Sequence, residues 1–268
     1  QSLYWVVVDN GSTDDSVSQL RAVFPDLDII ETKQNLGFAG GNNVGIEYAL
    51  TQGADYVLLL NNDTVVDADF LRPLLQVLTQ DTTTAAVNPK IYFLHDEKRL
   101  WAAGGRARLW QAYSGNRGRG QMDVGQFDQV DTVDFGTGCC LLLRRAALEQ
   151  VGLLNAAYFA YYEDLDWSYR ARQLGYKIKY APESKIWHAV GAASKNEVGR
   201  QSAYVHYLAA RNQLWILRAY AGSWRVLAYV AYVVRRLLFY SAGFIFLRRW
   251  AKLVALWRGF KDGVTTSP

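Results

Sequence analysis

Cysteine is scarce: Cys139 and Cys140 are the only two in 268 residues, and they are adjacent. Neither a disulfide framework nor a CxxC metal or redox pair can be built from them. The chain therefore suits a reducing compartment, and two thiols with no acid–base partner in the sequence read as core. Long apolar runs are also missing, since no uncharged stretch reaches the roughly 18 to 20 residues of a spanning helix. Val226 to Val234 and Leu237 to Leu247 come nearest, and Arg235 with Arg236 divides them. No cleavable leader pattern follows Gln1, so the chain is expected to begin inside a longer protein. Internal repeats and low-complexity tracts are absent too. With half the residues hydrophobic and 20% charged, disordered and collagen-like chains are excluded.

The net charge of +4 is unevenly spread. Residues 200 to 268 hold 11 Lys/Arg against the single acid Asp262, a net +10, and the rest holds 18 against 24 acids, a net −6. Such asymmetry points to an acidic partner for the tail, nucleic acid or an anionic membrane surface. No nucleic-acid module is recognisable, and the tail's aromatics lie among aliphatic runs rather than in a stacking platform. Trp215, Trp224, Trp250 and Trp257 with Tyr229, Tyr232 and Tyr240 read as interfacial aromatics beside Arg225, Arg235, Arg236, Arg248, Arg249 and Lys252. The expectation is a peripheral helical tail, residues 201–268, on the cytoplasmic face of the cell membrane.

Leu3 to Val8 is short, apolar and β-branched and stops at Asp9-Asn10-Gly11, as a buried strand ending in a turn does. Ser12, Thr13 and Asp14 can cap a helix toward Phe24. Leu27 to Glu31 reads as a strand, Asn35 to Gly45 as a Gly-rich loop opening a helix, Tyr56 to Leu60 as a strand and Asp67 to Leu78 as a helix. Ile91 to Asp134 loses all period and reads as an irregular insertion. Gly138 to Leu143, Asp164 to Leu174 and Tyr176 to Tyr180 then read as strand, helix and strand. This alternation predicts an α/β fold with a mostly parallel sheet flanked by helices, whose ligands gather at the carboxyl ends of the strands.

Three acidic sites fall at such places: Asp9 in VVVDNGSTD, Asp63 in LLLNNDT, and Glu163, Asp164 and Asp166 in YYEDLDW. Each taken alone is equally a turn former or a helix cap. Gly37, Gly40 and Gly41 lack the GxGxxG spacing of a dinucleotide fingerprint.

Taken in order, VVVDNGSTDDS, QNLGFAGGNN, LLLNNDT, FGTGCCLLLRR, FAYYEDLDWSYRARQLGYKIKYAP and WH resemble the inverting family-two glycosyltransferases of the GT-A fold, over roughly Leu3 to Arg211. The nearest look is to bacterial rhamnosyltransferase-like members that build cell-surface polysaccharide. The resemblance implies a catalytic domain over residues 1–200, lacking the family's first strand and helix. It places Asp9, Gly40, Gly41, Asn42, Asn61, Asn62 and Asp63 about a nucleotide-diphospho-sugar donor, with Asn61 near the ribose. Asp63 and His188 would hold Mn²⁺ or Mg²⁺. Gly136, Thr137, Gly138 and Glu163 would line the acceptor side, a glycan or lipid-linked hydroxyl, and Asp164 would be the general base. Arg170 and Arg172 could face the diphosphate or solvent. Asp166 could set the local charge or face solvent. The implied donor leans to dTDP-rhamnose. The competing reading is a catalytically inactive scaffold of the same fold at a membrane.

Overall fold

A computed structural model describes residues 3–189 and 202–268. The first half runs β1 (Val6–Asp9), α1 (Ser16–Val23), β2 (Asp28–Glu31), α2 (Gly37–Thr51), β3 (Tyr56–Leu60), β4 (Thr64–Val66) and α3 (Leu71–Thr79). Then come β5 (Thr84–Phe93), β6 (Asp96–Ala103), β7 (Gly105–Arg108), β8 (Tyr113–Asn116), β9 (Asp131–Val133) and β10 (Cys140–Arg144). The remainder is α4 (Arg145–Val151), α5 (Glu163–Gln173), β11 (Lys177–His188), α6 (Ala203–Tyr220), α7 (Arg225–Tyr232), a π-helical stretch Val233–Leu238, α8 (Phe239–Phe246) and α9 (Trp250–Thr265).

The α/β fold is as expected, but its sheet is mixed rather than mostly parallel. β1 and β2 pair in parallel as a separate two-stranded sheet, and the larger sheet has the order β3-β10-β5-β11-β4 with β6 on β5 and β9 on β11. Within it only β5 and β11 run parallel. β10 reverses the direction because it inserts between β3 and β5 antiparallel to both. α2 spans the two sheets, with Gly45 against Val8 and contacts to β3 on its other side.

The stretch expected to be an irregular insertion holds the end of β5 and four further strands, β6 to β9, instead. β5 is buried along its first nine residues, as a central strand covered on both faces must be. Its pattern hides this, because Asn88-Pro89-Lys90 interrupts the apolar run and a proline argues against a central strand. The structure satisfies each intruder. Asn88 donates to the Thr137 carbonyl at 3.0 Å and accepts from the Thr137 N–H at 2.7 Å. Lys90 pairs with Asp123 at 2.9 Å and with Asp128, tying the β6–β9 segment to the sheet.

α6 is not a peripheral tail element. Trp215 and Ile216 share a buried cluster with Phe135, Tyr158 and Leu165 of the preceding fold. The boundary expected at residues 200 and 201 lies outside the described residues. Trp215 and Tyr232, expected at an interface, are 4% and 0% exposed and belong to the core. Cys139 and Cys140 are buried free thiols, as read from the sequence. Gly222–Phe246 forms a single 25-residue helical run, long and apolar enough by length and composition to cross a membrane. The two arginines fail to divide it because Arg236 turns inward, donating to Gln213 Oε1 at 2.9 Å.

Candidate active site

The strand ends converge where the sheet pattern predicts. Asp63 sits in the tight turn from β3 to β4, and His188 closes β11, with His188 opposite Thr64 in the ladder. That register brings His188 Nε2 to 3.0 Å from Asp63 Oδ1. His188 is buried, stands edge-on to Trp101 at 4.7 Å, and leaves Nδ1 without a partner among the described residues. Burial lowers its pKa below the ordinary histidine value, only partly opposed by the Asp63 carboxylate.

A neutral imidazole and a carboxylate at this separation fit a divalent cation. Adjacent ligands of an octahedral ion at about 2.1 Å lie about 3 Å apart. No third His, Cys, Asp or Glu joins them among the described residues.

Gly136-Thr137-Gly138 runs into β10 between this pair and the acidic motif. The Gly138 N–H donates to Asp164 Oδ2 at 3.1 Å, and the next carbonyl, of Cys139, accepts the Asn61 N–H at 2.9 Å. One residue step of backbone thus links Asp164 to the Asn61–Asp63 turn. The glycines here serve packing: a Cβ on Gly136 would meet Asn88 and Leu141 at under 2.7 Å, and one on Gly138 would meet the Phe38 ring. Thr137 is buried.

Glu163, Asp164 and Asp166 open α5. Asp164 is half-buried and accepts N–H groups from Gly138 and Leu165. Burial nonetheless raises its pKa above the ordinary carboxylate value. Glu163 is more extreme: it is buried, Oε2 has no partner among the described residues, and burial reinforced by the Asp164 charge pushes its pKa well up. Both carboxyls of the pair are thus held above their ordinary range, Glu163 by burial and by the neighbouring Asp164 charge, Asp164 by burial against its two N–H donors.

Asp166 does not face solvent. It accepts from Arg170 Nε at 2.9 Å and from the Tyr220 hydroxyl at 2.7 Å, and Arg170 also donates to the Val151 and Leu153 carbonyls. Arg172 faces Asp134 at 3.6 Å. Both arginines are thus engaged by groups of the protein itself.

The turn before α5 is held in a rare conformation, with Phe159, Tyr161 and Tyr162 at φ of 65°, 69° and 78°. Such residues persist only where the surroundings over-determine them. Here α6 does so. Asn212 Nδ2 lies within 3.0 Å of the Tyr158, Ala160 and Tyr161 carbonyls, and Arg211 donates to those of Ala157 and Tyr158. The sequence carries no signal of a role for Asn212 or Asn88: each lies in a short polar interruption of an apolar run, Arg211-Asn212-Gln213 and Asn88-Pro89-Lys90, legible only as a misfit.

On the donor side, Asp9 ends β1 and accepts weakly from the Ser12 N–H at 3.3 Å. Gly40 and Gly41 lie inside α2, not in a loop before it, because Asn10 caps its entry by accepting the Leu36 N–H and donating to the Gly37 carbonyl, both at 2.9 Å. Gly37 has φ +74°, and a Cβ there would come within 2.4 Å of the Phe159 carbonyl. Asn42 bonds the Phe38 carbonyl in its own helix. Asn61 is half-buried and Asn62 exposed.

Residues 4–152 match the profile of Glycosyl transferase family 2. The chain is 28% identical over 212 residues to the low-salt glycan biosynthesis hexosyltransferase Agl10 of Haloferax volcanii, covering 78% of this chain and 65% of that protein. It is 26% identical over 240 residues to the N-acetylglucosaminyl-diphospho-decaprenol L-rhamnosyltransferase of Mycobacterium tuberculosis, covering 82% and 76%. In fold it is similar to GalNAc-T7, solved with UDP, GalNAc and Mn²⁺, at a TM-score of 0.62 and 14% identity over 83% of this chain and 43% of that one. The chain thus spans less than two thirds of the length of the Haloferax protein and of GalNAc-T7. The profile covers more than half of it, and the GT-A-like fold agrees: the chain belongs to glycosyltransferase family 2.

Proposed function

We propose that this protein moves a sugar from a nucleoside-diphosphate donor to a hydroxyl of a glycan or lipid-linked acceptor, inverting the anomeric centre in one displacement. The observation that carries the reading is the one-residue backbone link between Asp164 and the Asn61–Asp63 turn. In this reading the link holds the base and the Asp63–His188 pair at a fixed spacing, so that both could act on one reacting carbon. Asp164, ionised and fixed by two N–H groups, accepts the acceptor hydroxyl's proton as the oxygen attacks. Glu163, kept neutral by burial, donates a hydrogen bond to the acceptor and holds it in line. Asp63 and His188 would hold Mn²⁺ or Mg²⁺, which supplies charge neutralisation of the departing diphosphate. Asp9 and Asn61 would orient the nucleoside. Rhamnose is the favoured sugar, supported by the mycobacterial relative's name. A screen of nucleotide sugars with full-length protein and either metal tests this; absence of turnover with every donor would leave the inactive-scaffold reading.

The reading extends to location: the α7–α8 face docks on an anionic membrane, on its cytoplasmic side. Phe239 and Phe246 are 76% and 87% exposed, and Trp224, Val226, Val230 and Trp250 are exposed beside them. Arg225, Arg235 and Arg248 surround this face and are exposed as well. An apolar surface ringed by basic side chains suits the boundary of an anionic bilayer.

A further inference from the structure

A cavity of about 220 Å³ lies between α6, the π-helical stretch and the strained turn, lined by Tyr161, Tyr162, His206, Arg236 and Tyr240 among others. It is smaller than the roughly 300 to 1,000 Å³ of drug-sized ligand sites, which suits a compact headgroup. Its strongest feature is Arg236. The guanidinium donates to Gln213 Oε1 at 2.9 Å and to the Tyr162 hydroxyl at 3.4 Å, and lies 5.2 Å from the Tyr240 ring centre. The groups that act on its charge are tyrosines, and among the described residues it makes no ion pair with an Asp or Glu. A cation half withdrawn from water and lacking a counter-charge is stabilised when an anion completes it.

The field around it has one sign. Burial and the charges of Lys252, Arg236 and Arg249 together push His206, which lines the cavity, down to about 4, and of the three cations Arg236 is itself part of the lining. The π-helical stretch is itself a local irregularity of the kind found at functional sites, and it spans Arg236. The position is equally informative. Tyr162 immediately precedes Glu163, and Tyr240 sits on α8 next to the exposed Phe239. An anion here would stand between the apolar outer face and the carboxylate pair.

We propose that this cavity binds the phosphate or diphosphate of a lipid-linked acceptor, with Arg236 as its principal cation and the hydroxyls of Tyr162 and Tyr240 beside it. The lipid chain would leave along α8 and the sugar would point to Asp164. This rests on the acceptor reading above, and the test separates the two. First, inorganic pyrophosphate is titrated calorimetrically into full-length protein without divalent metal, comparing wild type with R236Q and R249Q. Pyrophosphate affinity should fall about ten- to hundredfold in R236Q, the worth of a charge-assisted hydrogen bond, and less in R249Q, which breaks no bond to Gln213. Second, kcat/KM is compared for one sugar carried on a prenyl diphosphate and on a neutral alkyl chain. Wild type should prefer the diphosphate through acceptor KM, and R236Q should lose that preference while donor KM holds. Equal pyrophosphate binding by folded R236Q and wild type overturns the site, whether or not transfer occurs. Arginine-dependent pyrophosphate binding without acceptor preference makes it a free-phosphate site and overturns the lipid assignment.

Discussion

Asp164→Asn should abolish transfer and leave donor affinity nearly unchanged. General-base catalysis is worth about 10²- to 10⁴-fold, or about 3 to 5 kcal/mol on the barrier. The variant should still fold, by opposing effects of similar size. Asp164 now accepts N–H groups from Gly138 and Leu165; an amide oxygen serves one and turns an NH₂ toward the other, at about 1 to 3 kcal/mol. Against this, the native carboxyl has a raised pKa, so its ionised form destabilises the fold at neutral pH and its removal returns some stability. Single-turnover transfer at saturating donor measures the chemical step, and calorimetric titration with donor measures binding. Turnover within about threefold of wild type would take Asp164 out of the mechanism. A parallel collapse of donor binding would make it a structural residue of the β10 entry instead.

The neighbouring acid should shape the pH profile: kcat/KM rises as Asp164 loses its proton and falls where Glu163 loses its own, so Glu163→Gln should keep the acid limb and lose the alkaline one. Because Glu163 is raised on folding, the native protein should lose stability as pH climbs above the ordinary Glu range, and thermal melts of Glu163→Gln should show less of that loss. Asp63→Asn and His188→Gln should each weaken Mn²⁺ binding at least about tenfold in metal titrations followed by electron paramagnetic resonance; unchanged binding refutes the pair as ligands. Asn212→Ala removes the donor to the Ala160 and Tyr161 carbonyls of the turn before α5 and should cost about 1 to 3 kcal/mol in denaturant melts, with kcat reduced and donor binding kept. Liposome co-sedimentation should need anionic lipid and weaken with salt, and equal recovery with and without liposomes refutes docking.

The chemistry was legible where the sequence writes it locally. An apolar β-branched run ending in a carboxylate identifies both a strand and its carboxyl rim, which is how Asp9 and Asp63 are found; Glu163 and Asp164 open a helix in the same visible way. What pairs them is not local. The contact of His188 with Asp63 depends on the β11–β4 register, 125 positions apart in the chain, and the anchoring of Asp164 depends on β10 being inserted antiparallel. β5 escapes a periodicity argument for a related reason: Asn88 and Lys90 are tolerated in a buried strand because partners far along the chain, Thr137 and Asp123, satisfy them.

The helical tail shows why charge and aromatic counts alone misassign residues. Arg211, Asn212, Gln213 and Arg236 look like the polar face of amphipathic helices, which should meet solvent. In the structure they turn inward: Asn212 and Gln213 are buried, and Arg211 spreads over Trp215 at 4.2 Å while donating to the Tyr158 carbonyl before α5. Phe239, Phe246 and Val226 turn outward instead. Such an inversion is unfavourable against water, since it exposes apolar area and desolvates charge at once. The inner half is met within the fold, where Asn212 and Arg211 donate to carbonyls before α5 and Gln213 donates to the Ala112 carbonyl. Arg236 is the one of the four that lines the cavity, with a charge that only neutral groups answer among the described residues, and the outer apolar face has no cover among them either, so the proposed acceptor phosphate and membrane surface address those two places and no others.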